Sequence, residues 1–299
     1  SEDVLWRLDL DTMNLFKLTE SGRASYPKIS PDGKLVAYVS NDEGDNEIYV
    51  VHLDGGPVKR LTYEGSNPRV VSWDGADIIY SSNFDTPLKR RGESHLRKIN
   101  RRHFHSTPLG YGIGHSIAFG PTRQVVLGRN TNEPARWKRY RGGTAGEIWI
   151  DLKGSSKFRK LVTLESNLCS PMWISNRIYF ISDHEGIGNI YSSNQLGRDI
   201  RKHTNHKTFY VRNASSYNNR IVYHAGGDLY ILDTQRAENK RLEFSYNSTK
   251  DLMKRKFVST SMFLESVSVD KSNILSIEFG YNDNYDFVNE NLPDFLQKD

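Results

Sequence analysis

Short, nearly continuous apolar runs separated by polar turns punctuate the chain, at Leu35 to Val39, Ile78 to Tyr80, Ile178 to Ile181 and Ile221 to Tyr223. Unbroken apolarity over so few residues predicts β-strands covered on both faces rather than half-buried ones. Each run ends a hairpin pattern. The clearest is Tyr26-Pro-Lys-Ile-Ser-Pro-Asp-Gly-Lys-Leu-Val-Ala-Tyr-Val39, in which Pro31-Asp32-Gly33 forms the turn. Its relatives span Val70 to Tyr80, Ile117 to Leu127, Met172 to Ile181 and Val211 to Tyr223. Before the C-terminal tail, no stretch keeps a helical period for more than about two turns.

A second pattern follows each hairpin. Asp3-Val-Leu-Trp6, Asn46-Glu-Ile-Tyr49, Ser94-His-Leu-Arg97, Gly146-Glu-Ile-Trp149, Gly188-Asn-Ile-Tyr191 and Gly227-Asp-Leu-Tyr230 are six copies of one strand-like segment. They recur at steps of roughly 39 to 52 residues, the period of propeller blades. Several lead across a polar turn into another short run, as in Lys59-Arg-Leu-Thr62, Phe158-Arg-Lys-Leu-Val162, Asp199-Ile-Arg-Lys202 and Lys240-Arg-Leu-Glu-Phe244. Two hairpins per period make one four-stranded sheet. The pattern therefore predicts an all-β fold, a six-bladed β-propeller of four-stranded antiparallel blades.

The first copy, Asp3 to Thr19, supplies only an outer hairpin, and an inner-type hairpin without an outer partner, Ser266 to Phe279, stands at the other end. Residues 1–255 are expected to form the propeller, with its first blade incomplete at the N-terminus. Residues 256–299 are expected to be a closing hairpin or the start of a second propeller, followed by an acidic, Asn-rich tail that frays.

Composition narrows the class. Of 299 residues, 36% are hydrophobic and 26% charged, enough to bury a core and unlike a disordered chain. No apolar run approaches the ~18 residues that span a bilayer, and no short apolar segment follows a basic start, so neither a membrane nor a secreted precursor is expected. The single cysteine, Cys169, excludes an intrachain disulfide and a multi-cysteine zinc site, and it suits a reducing cytoplasm. A formal charge of +5, spread along the chain, tolerates acidic partners without demanding nucleic acid.

One region is more specific than a generic blade. It comprises Gly128-Arg-Asn-Thr-Asn-Glu-Pro-Ala-Arg-Trp-Lys-Arg-Tyr-Arg-Gly-Gly-Thr-Ala-Gly-Glu-Ile-Trp-Ile150, Ser170-Pro-Met-Trp-Ile174 leading to Ser182-Asp-His-Glu-Gly-Ile-Gly-Asn-Ile-Tyr191, and Gly197-Arg-Asp-Ile-Arg-Lys-His-Thr204. This stretch resembles the N-terminal six-bladed propeller of the tricorn protease family, closely over about residues 125 to 232 and at the level of blade pattern upstream. The resemblance implies a non-catalytic part of a cytoplasmic serine peptidase that trims oligopeptides. A second propeller, a PDZ-like module and catalytic domains would follow it, in a homo-oligomer, a hexamer by resemblance. The propeller would channel or orient peptides and pack against other domains or subunits.

Two basic segments are candidate peptide sites. Arg136-Trp-Lys-Arg-Tyr-Arg141 puts Arg136, Arg139 and Arg141 beside two aromatics, and guanidinium forks suit carboxylates. The plainer reading is a packing loop with solvated cations. The run from Lys89 to His105 is the densest positive charge. In the tricorn family an arginine pair from this propeller anchors the peptide's C-terminal carboxylate. There it follows the stretch resembling Lys59-Arg-Leu-Thr-Tyr63, whereas here that region is shorter and offers only Arg69, so Arg90 and Arg91 are the substitutes by position. The plainer reading is a solvated loop and outer strand.

Catalytic and metal readings are weaker, and neither a catalytic residue, a metal nor a cofactor is assigned. Gly114-His-Ser116-Ile-Ala118 lacks the final glycine and the strand-to-helix context of a nucleophile elbow. His103 with His105, or His203 with His206, lacks an identifiable third ligand, and Asp42 to Glu47 lacks a calcium-loop spacing and reads as a polar turn. An independent binding propeller of the TolB type, docking a protein partner, is the alternative function.

Overall fold

The computed structural model describes residues 3–20, 22–86, 93–102, 104–131, 138–246, 264–269 and 275–279. Two compact units divide the chain, Glu2–Phe244 and Ser245–Asp299 together with Ser1. In the second, β23 (Leu264–Val269) and β24 (Leu275–Phe279) pair antiparallel as a two-stranded sheet.

The larger unit opens with a two-stranded sheet, β1 (Trp6–Leu8) and β2 (Leu15–Lys17). Five four-stranded antiparallel sheets follow in chain order. Blade A is β3 (Ser25–Ile29), β4 (Leu35–Ser40), β5 (Glu47–His52) and β6 (Lys59–Arg60). Blade B is β7 (Arg69–Asp74), β8 (Asp77–Ser82), β9 (His95–Asn100) and β10 (Ser106–Ile113). Blade C is β11 (Ser116–Phe119), β12 (Val125–Arg129), β13 (Glu147–Asp151) and β14 (Arg159–Lys160). Blade D is β15 (Leu168–Ile174), β16 (Arg177–Ser182), β17 (Asn189–Asn194) and β18 (Arg201–Lys202). Blade E is β19 (Val211–Tyr217), β20 (Arg220–Ala225), β21 (Asp228–Asp233) and β22 (Glu238–Leu242). The first strands of successive blades touch, β3 with β7, β7 with β11, β11 with β15 and β15 with β19. That succession of inner strands is the mark of a propeller. Among the described residues the sheets are five complete blades and two hairpins, and no helix is assigned.

The continuous apolar runs become the second strands of the blades, where five of six residues are buried in β4, β8 and β16. Alternate side chains serve opposite neighbours. Val36 and Tyr38 pack with Leu5 and Ala24 at the N-terminal end, while Ala37 and Val39 pack against Val70, Trp73 and Ile78 of blade B. Ile79 meets Ile117, Val125 and Leu127, Val126 meets Ile178 and Phe180, and Tyr179 and Ile181 meet Val211, Ile221 and Tyr223. Each such fully buried side chain contributes roughly 1.5–3 kcal/mol relative to exposure. The core is thus a series of layers between blades.

Polar positions fix each blade's third strand. The amide of Ile48 donates to Thr62 Oγ1 at 2.8 Å, and Thr62 in turn donates to Glu47, whose Oε1 accepts the Gly65 amide at 2.8 Å. Blade D repeats this with other residues: Ile190 N to Thr204 Oγ1 at 2.9 Å, Thr204 Oγ1 to Asn189 Oδ1 at 2.8 Å, and His206 N to Asn189 Oδ1 at 2.8 Å. The N-terminal hairpin keeps the first link, Leu5 N to Thr19 Oγ1 at 2.9 Å. A recurring threonine after the outer run therefore satisfies an amide that would otherwise be buried without a partner. Glycine is required where the backbones of neighbouring blades approach closely: a Cβ on Gly146 would lie 2.1 Å from the Leu168 carbonyl oxygen.

Four inner strands, β3, β7, β15 and β19, carry a register shift, and the residues Tyr26, Ser170 and Asn213 within three of those shifts have φ of 52°, 49° and 50°. These are bulges, which turn side chains off the regular alternation of the inner strand. Blade E differs in burial. Val222 and Tyr217 are 42% and 66% exposed, and Ile29 on β3 is 57% exposed. One face of β20 in blade E is therefore only partly covered, whereas in blade A the exposure is confined to the inner strand.

Replacing Thr204 by Val should strand the Ile190 amide and lower stability by about 1–3 kcal/mol, read as a lower urea midpoint, with Thr204→Ser recovering most of it. A Thr204→Val midpoint equal to that of the parent protein would show that the threonine contributes packing alone.

Candidate functional site

The inner strands bring together charges that the pattern of the chain did not link. Lys28, on β3 of blade A, donates from Nζ to Ser215 Oγ on β19 of blade E at 3.2 Å, joining residues 187 apart. Burial lowers the proton affinity of its amine, although the side chain still reaches solvent in part. Both hold when a group is walled in on several sides yet open along one direction. The Lys28 carbonyl accepts Trp73 Nε1 from β7 at 3.0 Å, which fixes blade B against β3. On β7, the Arg69 guanidinium lies 4.9 Å from the ring centre of Tyr26, the bulged residue two before Lys28. Across from them, Asn213 Nδ2 lies 3.1 Å from His224 Nε2.

Most outer-strand cations have acidic partners. Arg60 pairs with Glu43 at 3.0 Å, Lys160 with Glu147 at 2.7 Å, Arg201 with Asp199 at 2.7 Å and Lys202 with Glu185 at 2.6 Å. The five inner strands contain one carboxylate in sequence, Asp74, at the end of β7.

Among the residues singled out from sequence, Arg90, Arg91 and Arg136 lie outside the described residues, as do Trp137 and His103. Arg139 and Arg141 belong to the segment between β12 and β13 that reaches blade D. The Arg139 amide donates to Asp183 Oδ2 at 2.8 Å, and Asp183 Oδ1 accepts the Asn167 amide at 2.9 Å. Arg141 Nη1 donates to Glu165 Oε2 at 3.0 Å in an exposed pair, and the Lys138 ammonium stands 5.7 Å from the Tyr210 ring centre. Burial, with Asp183 nearby, raises the Tyr210 phenol above its ordinary value, while Arg139 opposes that rise. These contacts tie the loop to the next blade. Arg139 and Arg141 are brought near one carboxylate each rather than to a common point.

The groups weighed for catalysis or metal binding are spread out. Ser116 Oγ is 2.9 Å from Thr131 Oγ1, and His115 Nδ1 accepts the Asn130 amide at 3.1 Å. His203 Nε2 is 2.7 Å from Ser192 Oγ, and its ring lies 4.9 Å from that of Tyr179. Burial and the neighbouring Arg177 and Arg201 push its pKa down to about 4. His206 Nε2 meets the Tyr223 hydroxyl at 3.0 Å and is also lowered by burial. Of the acidic turn, Asp42 accepts from Ser40, Glu43 pairs with Arg60, and Glu47 is buried in the Thr62 network. Among the described residues no group of three or more His, Cys, Asp or Glu side chains could hold a metal ion, and no helix is long and apolar enough to cross a membrane.

The family model described as the tricorn protease N-terminal beta propeller domain matches residues 1–238. A tricorn protease homolog of Saccharolobus solfataricus is 35% identical over 287 residues, covering 94% of this chain and 26% of the relative. The crystal structure of the tricorn protease superposes with a TM-score of 0.82 at 29% identity, over 92% of this chain and 28% of that one. The chain thus spans about a quarter of the length of these relatives. A Sulfurisphaera tokodaii protein named as a Tricorn-like protease N-terminal subunit is 34% identical over 164 residues, half of this chain and 78% of the relative. TolB from Acinetobacter baumannii, at 16% identity and a TM-score of 0.58, covers 81% of this chain and 61% of that one and shares the fold alone.

The depressed His203 has a direct consequence for stability. Its folded value of about 4 lies below the ordinary 6.5, so the unfolded chain binds the proton more readily. Its contribution should be complete above pH 6.5 and decline as pH falls toward 4. Urea unfolding across that window should show the decline, and His203→Gln should flatten part of it. An unchanged slope in the variant would assign the acid sensitivity elsewhere.

Proposed function

The chain belongs to the family of tricorn protease N-terminal β-propeller domains, and from that premise we propose that it is the non-catalytic propeller of a tricorn-like serine peptidase. In this reading it channels or orients oligopeptides and packs against other domains or subunits in a cytoplasmic homo-oligomer, six-fold as in the resemblance. Peptide hydrolysis belongs to parts of the protein beyond this propeller. The observation that carries the reading is a family match across 238 residues, joined to an inner-strand lining that is rich in donors and poor in carboxylates. Such a lining favours the negative end of a peptide, because guanidinium and ammonium groups bond a carboxylate more strongly than a neutral amide.

Six blades are part of the same proposal. The β1–β2 hairpin touches blade A through Arg7, which donates to the Leu53 carbonyl at 3.0 Å and to Asp54. The turn of that hairpin, at Leu10 and Met13, borders a groove of about 340 Å³ whose other wall is Arg220, Ile231 and Leu242 of blade E. An outer hairpin that completes a blade needs two inner strands, and the partly exposed Ile29 and Val222 are the apolar faces proposed to receive them. The strands from Leu264 to Phe279 are the proposed inner pair, and the propeller body is assigned to residues 1–255. Deleting residues 256–299 should then lower the thermal midpoint by several degrees. An unchanged midpoint would assign them instead to the start of a second propeller.

Arg90 and Arg91, with Arg136, Arg139 and Arg141 as a second set, are proposed to anchor the C-terminal carboxylate. Calorimetric titration of a tripeptide acid and its C-terminal amide, at constant ionic strength, tests this. The acid should bind more tightly, and the preference should shrink in Arg90→Ala/Arg91→Ala. Equal binding of acid and amide would refute peptide anchoring. A preference unchanged in the variant would move the anchor to the loop that ends at Arg141.

A further inference from the structure

We propose that the Asp183 carboxylate is a latch: it holds residues 138–146, which belong to blade C, across the end of blade D, and so sets the position of the cations Lys138 and Arg139. The bond that makes it runs from main chain to side chain. Asp183 is 1% exposed; its Oδ2 accepts the Arg139 amide at 2.8 Å, and its Oδ1 accepts the Asn167 amide at 2.9 Å. Asparagine stands at the corresponding place in two other blades, where Asn41 Oδ1 accepts the Arg23 amide at 2.9 Å and Asn83 Oδ1 accepts the Asn67 amide at 3.3 Å. One acceptor oxygen therefore suffices to fix a blade's own connection. Blade D has a carboxylate instead, and its second oxygen goes to the segment arriving from blade C.

The segment is fastened again at its far end. Gly146 N donates to Asn167 Oδ1 at 3.4 Å, and its carbonyl accepts the Leu168 amide at 3.2 Å, so Asn167 joins both fastenings. Between them the segment is folded on itself. The Ala145 amide donates to the Gly142 carbonyl at 2.9 Å, Thr144 Oγ1 donates to the Tyr140 hydroxyl at 3.1 Å, and a Cβ on Gly142 would lie 2.1 Å from that hydroxyl. Arg139 has φ of 56°, which a long side chain adopts at a cost, and the bond to buried Asp183 holds it there. The Lys138 ammonium then stands 5.7 Å from the ring centre of Tyr210, whose hydroxyl donates to the Gly186 carbonyl at 2.9 Å. Gly146, Leu168, Asp183, Gly186 and Tyr210 lie where first and third strands begin or a second strand ends, which in antiparallel sheets is one end of the blades. The Gly188 carbonyl, which accepts the Val211 amide at 2.9 Å, joins blades D and E at that end. The segment is thus a strap from blade C past blade D to the first residues of blade E. Asp183 acts through the main chain of Arg139, which makes it a positioning residue. What the positioned cations meet rests on the peptide reading proposed above; the latch does not.

Hydrogen exchange of the full chain, read at single residues by fragmentation mass spectrometry, tests the latch. The Arg139 amide should exchange about tenfold or more slowly than in Asp183→Asn, because its acceptor is charged. Asp183→Asn keeps the oxygen for Asn167, as in the two asparagine blades, so its thermal midpoint should stay close to the parent's while trypsin cuts faster after Lys138, Arg139 or Arg141. Arg139→Gly keeps the amide and suits φ of 56°, so its strap should stay protected. An Arg139 amide that exchanges in the parent protein as fast as those of exposed turns would overturn the latch. So would a strap released by Arg139→Gly as fully as by Asp183→Asn. Positioning is read separately, by calorimetry with a tripeptide acid and its C-terminal amide. Asp183→Asn should shrink the parent's preference for the acid; an unchanged preference with the strap released would overturn the positioning role and leave the peptide reading to Arg90 and Arg91. Equal binding of acid and amide by the parent protein would refute the peptide reading alone, and hydrogen exchange would then decide the latch by itself.

Discussion

The structure depends on one constraint: a blade of this kind cannot bury its own faces. The second strands, Leu35–Ser40, Asp77–Ser82 and Arg177–Ser182, are apolar on both sides, so each sheet is stable only when pressed between two others. Everything else serves that stacking. Gly146 lets the backbone of one blade approach the next, and threonines such as Thr62 and Thr204 satisfy the amides that stacking cuts off from water. At Ile29 and Val222 apolar surface is left exposed.

Stacking also explains why the inner strands hold the candidate chemistry. The middle strands are committed to the interfaces on both faces, and most outer-strand cations to local ion pairs. The inner strands form one of the two free edges of each sheet, and bulges in four of them turn side chains off the regular alternation. Lys28, Arg69 and Asn213 are therefore free to serve something other than packing.

Much of this was legible in the sequence. The turn at Pro31-Asp32-Gly33 became the β3–β4 connection, with Ser30 Oγ and the Lys34 amide donating to Asp32, and the repeated segment became the third strand of each blade. Both are local signals, a turn that needs a positive φ at Gly33 and an apolar run too short for a helix. The family itself was legible from residues 125 to 232. The pairing of Lys28 with Ser215 was not, because no periodicity links positions so far apart, and a lysine after a proline reads as ordinary turn polarity. The eight-residue β10 was equally hidden, since Ser106-Thr-Pro-Leu-Gly-Tyr-Gly-Ile113 holds two glycines and a proline, which weaken a strand pattern. Of the arginines proposed as anchors, Arg139 and Arg141 are engaged with blade D and its loop, contacts that depend on which blade the segment happens to cross.

The bridge from Lys28 to Ser215 carries a consequence for how the chain comes to fold. Each interface between complete blades joins sequence neighbours, so the chain can acquire them one after another, like a linear array that grows from any nucleus. A link across 187 residues cannot form in that manner. It closes a very large loop, and its entropic cost is met only after the intervening blades have shortened the path between its ends. A contact of that span therefore depends on the intervening blades, and it sets the first and last complete blades against each other.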